Sequence, residues 1–141
     1  MIQFEEPITE VTEFPVLPEV GFTDTLTSKT TLKIIGYGMQ TQIQPHNTWV
    51  GTVSRNSAQA ELLPSTFKGS DLYMKLTANS AQGKGGIAYG DSGGPVIYND
   101  NGVDVVVGLN AFVSSANCNG VSYHTRLDTS QVLAWIGSYL A

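Results

Sequence analysis

The sequence predicts an all-β domain, an antiparallel barrel or sandwich finished by one C-terminal helix. Three observations predict it. From Thr31 onward, short apolar runs alternate with turn residues, and six of them read as strands. Fifteen glycines accompany only 13% charged residues, a profile of tight turns rather than of a helical bundle. Only the last segment carries helical apolar spacing. A chain of 141 residues is long enough for one domain with a sizeable core.

Residues 1–30 are acidic and broken by Pro7, Pro15 and Pro18, so they read as an extended arm, with a short strand at Met1–Phe4. Thr31–Gly36 is the first barrel strand, ended by Gly36-Tyr37-Gly38. Trp49–Ser54 is the second. Leu72–Leu76 is the third, with Leu72, Met74 and Leu76 on one face. Pro95–Tyr98 is the fourth. Asn99-Asp100-Asn101-Gly102 marks a hairpin, and Val103–Val113 is its return strand. Gly120–Leu127 is the sixth. Asp128 or Thr129 then caps a helix whose Val132, Trp135, Ile136, Tyr139 and Leu140 share one face, expected to dock on the barrel.

Between the third and fourth strands lies Gly90-Asp91-Ser92-Gly93-Gly94-Pro95. A serine set among glycines can stand clear of the backbone, because glycine permits sharp turns and close approach of a ligand. The adjoining Asp91 is unusual for a plain turn. Composition excludes other classes. A net charge of −5 without a Lys/Arg cluster argues against nucleic-acid binding, which depends on phosphate neutralisation. No apolar run approaches the ~20 residues that span a bilayer, and no signal peptide is visible. One cysteine, Cys118, forms no internal disulfide. Two separated histidines and that cysteine make no zinc site, so no metal or cofactor is expected.

The six residues Gly90–Pro95 resemble the nucleophile motif of trypsin- and chymotrypsin-like serine proteases. Gly36-Tyr37-Gly38 resembles the family's Gly-Trp-Gly, and Thr125-Arg126-Leu127 through Trp135-Ile136 resembles its closing strand and helix. The resemblance covers the chain but only the C-terminal half of such a protease. It implies a six-stranded Greek-key barrel plus helix over 31–141. Residues 1–30 would be a remnant of the first barrel and of the crossing between barrels.

The resemblance also implies roles. Ser92 is the catalytic nucleophile, and the Gly90 and Ser92 N–H groups form the oxyanion hole. Asp91 pairs in the family with an N-terminus freed by activation. That N-terminus is not in this sequence, so the Ala88–Ser92 loop is expected to be unformed or zymogen-like. The floor of the specificity pocket matches Gly86 or a neighbour, and Gly83–Ala88 contains no acid to place there. Tyr89, Ala111, Phe112 and Val113 border it, Val113 narrowing the entrance, which favours small apolar side chains. His124 either lines the pocket, which would admit an acidic side chain, or is a strand histidine that bonds a neighbour or faces solvent. Cys118 matches a family cysteine whose partner position holds Ala88. His46 reads as an exposed loop histidine.

The family's histidine and aspartate belong to the first barrel and lie outside this sequence, so the isolated chain is expected to be inactive. The implied partners are a peptide or protein substrate and a first barrel. Self-association through the exposed inter-barrel face is the substitute for that barrel. An extracellular location follows from the family alone. The alternative function is a non-catalytic, protease-derived module that binds peptides or proteins.

Overall fold

The computed structural model describes residues 2, 4–43, 48–64, 71–78 and 82–140. Its organising unit is a closed barrel whose strands alternate inward and outward side chains. The elements, in chain order, are α1 (Phe22–Thr25), β1 (Thr31–Gly36), β2 (Thr41–Ile43), β3 (Thr48–Val50), β4 (Asn56–Leu62), β5 (Tyr73–Thr77), β6 (Pro95–Asp100), β7 (Val103–Val113), β8 (Val121–Arg126) and α2 (Ser130–Gly137). The barrel runs β1-β4-β5-β8-β7-β6 and closes through antiparallel pairing of β6 with β1. β2 and β3 form a separate two-stranded ribbon.

The core follows from period-two alternation. Leu32 and Ile34 of β1, Met74 and Leu76 of β5, and Val105 and Val107 of β7 all point inward and are buried. Each fully buried side chain of this size contributes roughly 1.5–3 kcal/mol. Leu72, expected on the same inward face, instead lies outside the strand and is exposed.

The second barrel strand is β4, not Trp49–Ser54. β4 alternates as well, but its inward residues include the small Ala58 and Ala60, and its outward ones are Ser57, Gln59 and Glu61. Small residues are needed there. A Cβ added to Gly85 would lie 2.6 Å from the Ala58 methyl, so loop and strand meet too closely for anything larger. Thr48–Val50 pairs with β2 in the side ribbon instead.

The β6–β7 hairpin forms as expected. Asn101 (φ 51°) and Gly102 (φ 98°) are both left-handed, the twist that suits a two-residue hairpin loop. The Asn99 side chain fastens it by accepting from Gly102 N–H and donating to Asp104.

Thr129 caps α2, accepting from Val132 N–H at 3.3 Å, while Asp128 is drawn inside. The helix does not bury its apolar face. None of its residues is buried, and Trp135 and Tyr139 pack edge-on against each other while half exposed.

The arm touches the barrel at few points. Val16 bridges β7 in parallel, donating to Asp104 and accepting from Val106, and so covers a free edge. Thr23 of α1 donates from both its N–H and its hydroxyl to Asp128, at 2.7 Å each. Arg126 grips the same carboxylate through two nitrogens and reaches Asp24 at 2.8 Å. Burial pushes the Asp128 carboxyl up, and the bonds from Arg126 and Thr23 more than reverse it, leaving its pKa below the usual carboxylate value. Ile2 and Phe4 lie in no strand; Met1 and Gln3 fall outside the described residues.

Candidate active site

The Ala88–Pro95 segment is shaped by its backbone. Asp91 N–H returns to the Ala88 carbonyl, and Gly94 N–H to the Asp91 carbonyl, two successive turns at 3.1 Å. Gly90 (φ 96°) and Gly93 (φ 82°) take left-handed conformations that a side chain would strain. The turns push Ser92 outward. Its exposed hydroxyl donates to the Ala111 carbonyl at 3.3 Å. Ala111 is the extra residue at a bulge in β7, between Asn110 paired with His124 and Phe112 paired with Tyr123. Among the described residues, neither Gly90 N–H nor Ser92 N–H has a hydrogen-bond partner.

Of the two expected states of Ala88–Ser92, unformed or zymogen-like, the first does not hold: Asp91 organises the loop from below. Its Oδ1 accepts from Gly38 N–H at 2.7 Å and its Oδ2 from Ala88 N–H at 2.8 Å. These backbone donors satisfy the charge without an ammonium group. A Cβ on Gly36 would overlap the carboxylate, and one on Gly38 would lie 2.5 Å from it, which explains both glycines of Gly36-Tyr37-Gly38.

A cleft of about 430 Å³ opens beside Ser92. Tyr89, Ala111, Phe112 and Val113 line it together with Gly90 and Ser92. Gly86 does not. It turns toward Ala78 and borders a neighbouring hollow of about 260 Å³, which Asp91 also lines, while Ile87 reaches both. Phe112 stacks on Tyr123 with ring centres 4.5 Å apart.

His124 does not reach the cleft either. It is fully buried inside the barrel, its Nδ1 3.1 Å from Asn110 Oδ1 and its Nε2 2.8 Å from Ser122 Oγ. The acidic substrate class that depended on it loses its support. Asn110 settles the tautomer. Its amide nitrogen donates to the carbonyls of Ile35 (3.0 Å) and Asp91 (3.2 Å), so its oxygen faces His124. Nδ1 therefore carries the proton, and Nε2 accepts from Ser122. Burial lowers the His124 pKa to about 4, so the ring is neutral.

Asn110 was missed by sequence reasoning. Its backbone also holds Gly93 and Gly94, so one residue grips the Ser92 turn through both main chain and side chain. The available signal was a lone amide inside the apolar run Val103–Val113. Cys118 is half-buried. Desolvation raises its thiol pKa and the Asp91 charge adds to that, while a bond from the Tyr89 backbone opposes them, so the thiol stays protonated. His46 lies outside the described residues.

A closed six-stranded barrel that presents an exposed serine between glycines at a cleft, with two backbone N–H groups unpartnered among the described residues, defines a trypsin-like serine protease domain. The family model described as Trypsin matches residues 2–136, and the chain belongs to that family. No curated protein matches the chain. Among the described residues, no helix is long and apolar enough to cross a membrane.

Proposed function

We propose that this chain is the nucleophile-bearing half of a serine endopeptidase. The observation that carries the reading is the exposed Ser92 hydroxyl in a cleft that Gly90 also lines, with the Gly90 and Ser92 N–H groups unpartnered among the described residues. A histidine from a first barrel, oriented by an aspartate, takes the Ser92 proton as Oγ attacks the peptide carbonyl carbon. The two N–H groups hold the oxyanion as it forms. Collapse expels the amine, which takes the proton from the histidine, and leaves an acyl-Ser92 ester. Water then hydrolyses the ester by the same base.

Ala111 and Val113 beside Ser92 favour small apolar side chains. The partly exposed apolar face of α2 and the exposed Phe4 and Phe14 of the arm suit a covering first barrel or a second copy of the chain. That exposed surface also supports the second reading, a non-catalytic module that binds peptides or proteins. The location we infer is extracellular, from the family's usual setting.

The test is labelling of Ser92 by a fluorophosphonate after a base-bearing first barrel is supplied. Covalent labelling that is lost in Ser92→Ala supports the peptidase. Stable association of the barrel with no labelling overturns it and favours the binding module. The isolated chain is expected to label slowly, since loss of the base alone costs on the order of 10⁶ in turnover.

A further inference from the structure

We propose that Asn119 is a site of spontaneous deamidation, and that the reaction places a carboxylate on the wall of the Ser92 cleft. The sequence holds two Asn-Gly pairs, Asn101-Gly102 and Asn119-Gly120. Asn-Gly is the pair best suited to this chemistry, because glycine leaves its own nitrogen open to attack the preceding carboxamide. The structure separates the two. Gly102 N–H donates to Asn99 Oδ1 at 3.0 Å, and the Asn101 amide donates to Asp100 Oδ1 at 3.0 Å. Nitrogen and carboxamide are both held there, so Asn101 is protected. At the second pair, neither the Gly120 N–H nor the Asn119 carboxamide has a hydrogen-bond partner among the described residues, and both residues are exposed.

Solvent base takes the Gly120 N–H proton, and the nitrogen attacks Asn119 Cγ. The Cγ–Nδ2 bond breaks, ammonia leaves, and a cyclic imide joins the two residues. Water opening the imide at Cγ gives aspartate, with the chain as before. Water opening it at the main-chain carbonyl gives isoaspartate, with the chain rerouted through Cγ. Either product releases a proton and leaves one carboxylate. Ser115 Oγ donates to the Asn119 carbonyl at 3.0 Å and accepts from its N–H at 3.2 Å. Asn119 is thus fastened to the wall that Ser114, Ser115 and Ala116 form. Among the described residues, none that lines the cleft is charged. The new carboxylate is the first charge on this wall, and it favours a cationic side chain. That consequence for substrate rests on the peptidase reading; the modification itself does not.

The experiment ages the full chain in mildly alkaline buffer and maps isoaspartate by peptide mass and enzymatic methylation. Asn119 is expected to react at least about fivefold faster than Asn101, the factor that one neutral hydrogen bond represents. Unfolding in urea should bring the two rates together. Asn99→Ala, which frees the Gly102 N–H, should raise the Asn101 rate toward that of Asn119. Equal rates in the folded chain overturn the proposal. So does an Asn119 excess that survives in urea, or an unchanged Asn101 rate in Asn99→Ala. The charge is read with Asn119→Asp and n-butylamine, a lysine side-chain analogue, by amide shifts of Ser114 and Ala116. The variant should bind it about two- to fivefold more tightly than wild type. Equal binding overturns the effect on the cleft. Fluorophosphonate labelling with the first barrel present reads the peptidase separately, and its failure leaves the deamidation result standing.

Discussion

Acid should unfold this protein through His124. The ring is neutral and buried, held by Asn110 and Ser122 in the hydrogen-bond pattern of the neutral form. Burial moves its pKa from 6.5 to about 4. The folded-state pKa lies below the unfolded one, so between those values the unfolded chain binds more protons. Stability is therefore full above about pH 6.5 and falls as the pH drops toward 4. A gap of about 2.5 units at 1.36 kcal/mol each predicts a loss of about 3 kcal/mol. That is a large share of the 5–15 kcal/mol typical of a domain. The assay is urea unfolding at a series of pH values for wild type and His124→Gln. The variant has no imidazole here, so its stability should fall about 3 kcal/mol less across the window. Equal losses would refute the reasoning, as would an NMR titration of His124 near pH 6.5 in the folded protein.

Other outcomes follow from the same contacts. Gly38→Ala drives a methyl into the Asp91 carboxylate, so Ser92 labelling should fall at least about tenfold, with hydrogen exchange at Gly94 N–H rising. Asp128→Asn leaves buried Arg126 with only the exposed Asp24 as charge partner and should cost about 3 kcal/mol, measured by urea unfolding at neutral pH. Leu76→Ala opens a hole in the barrel core and should cost roughly 2–5 kcal/mol in the same assay.

Much of this fold was legible because some residues permit few structures. Asn101-Gly102 admits the left-handed hairpin it makes, and Gly90–Pro95 announces an exposed serine. Other features were hidden for physical reasons. β4 buries alanines where the barrel is tight, and a strand of Ser, Ala, Gln and Glu carries little apolar signal. The spacing of α2 revealed a helix but not what its apolar face meets. The position of His124 depended on a β7–β8 register that a bulge at Ala111 shifts. Asn110 acts through partners 14 to 75 residues away, and no local pattern reports such pairings.

The bond between Thr23 and Asp128 joins residues 105 apart in sequence. It encloses all eight strands in one loop, so its closure is favoured only once the barrel has brought the two ends together. Docking of α1 is thus a late event and a marker of completed folding. It also means that a cut in the chain just after α1, between Thr27 and Thr30, would not free the arm, which would stay bound at Asp128 and Arg126 as a separate peptide.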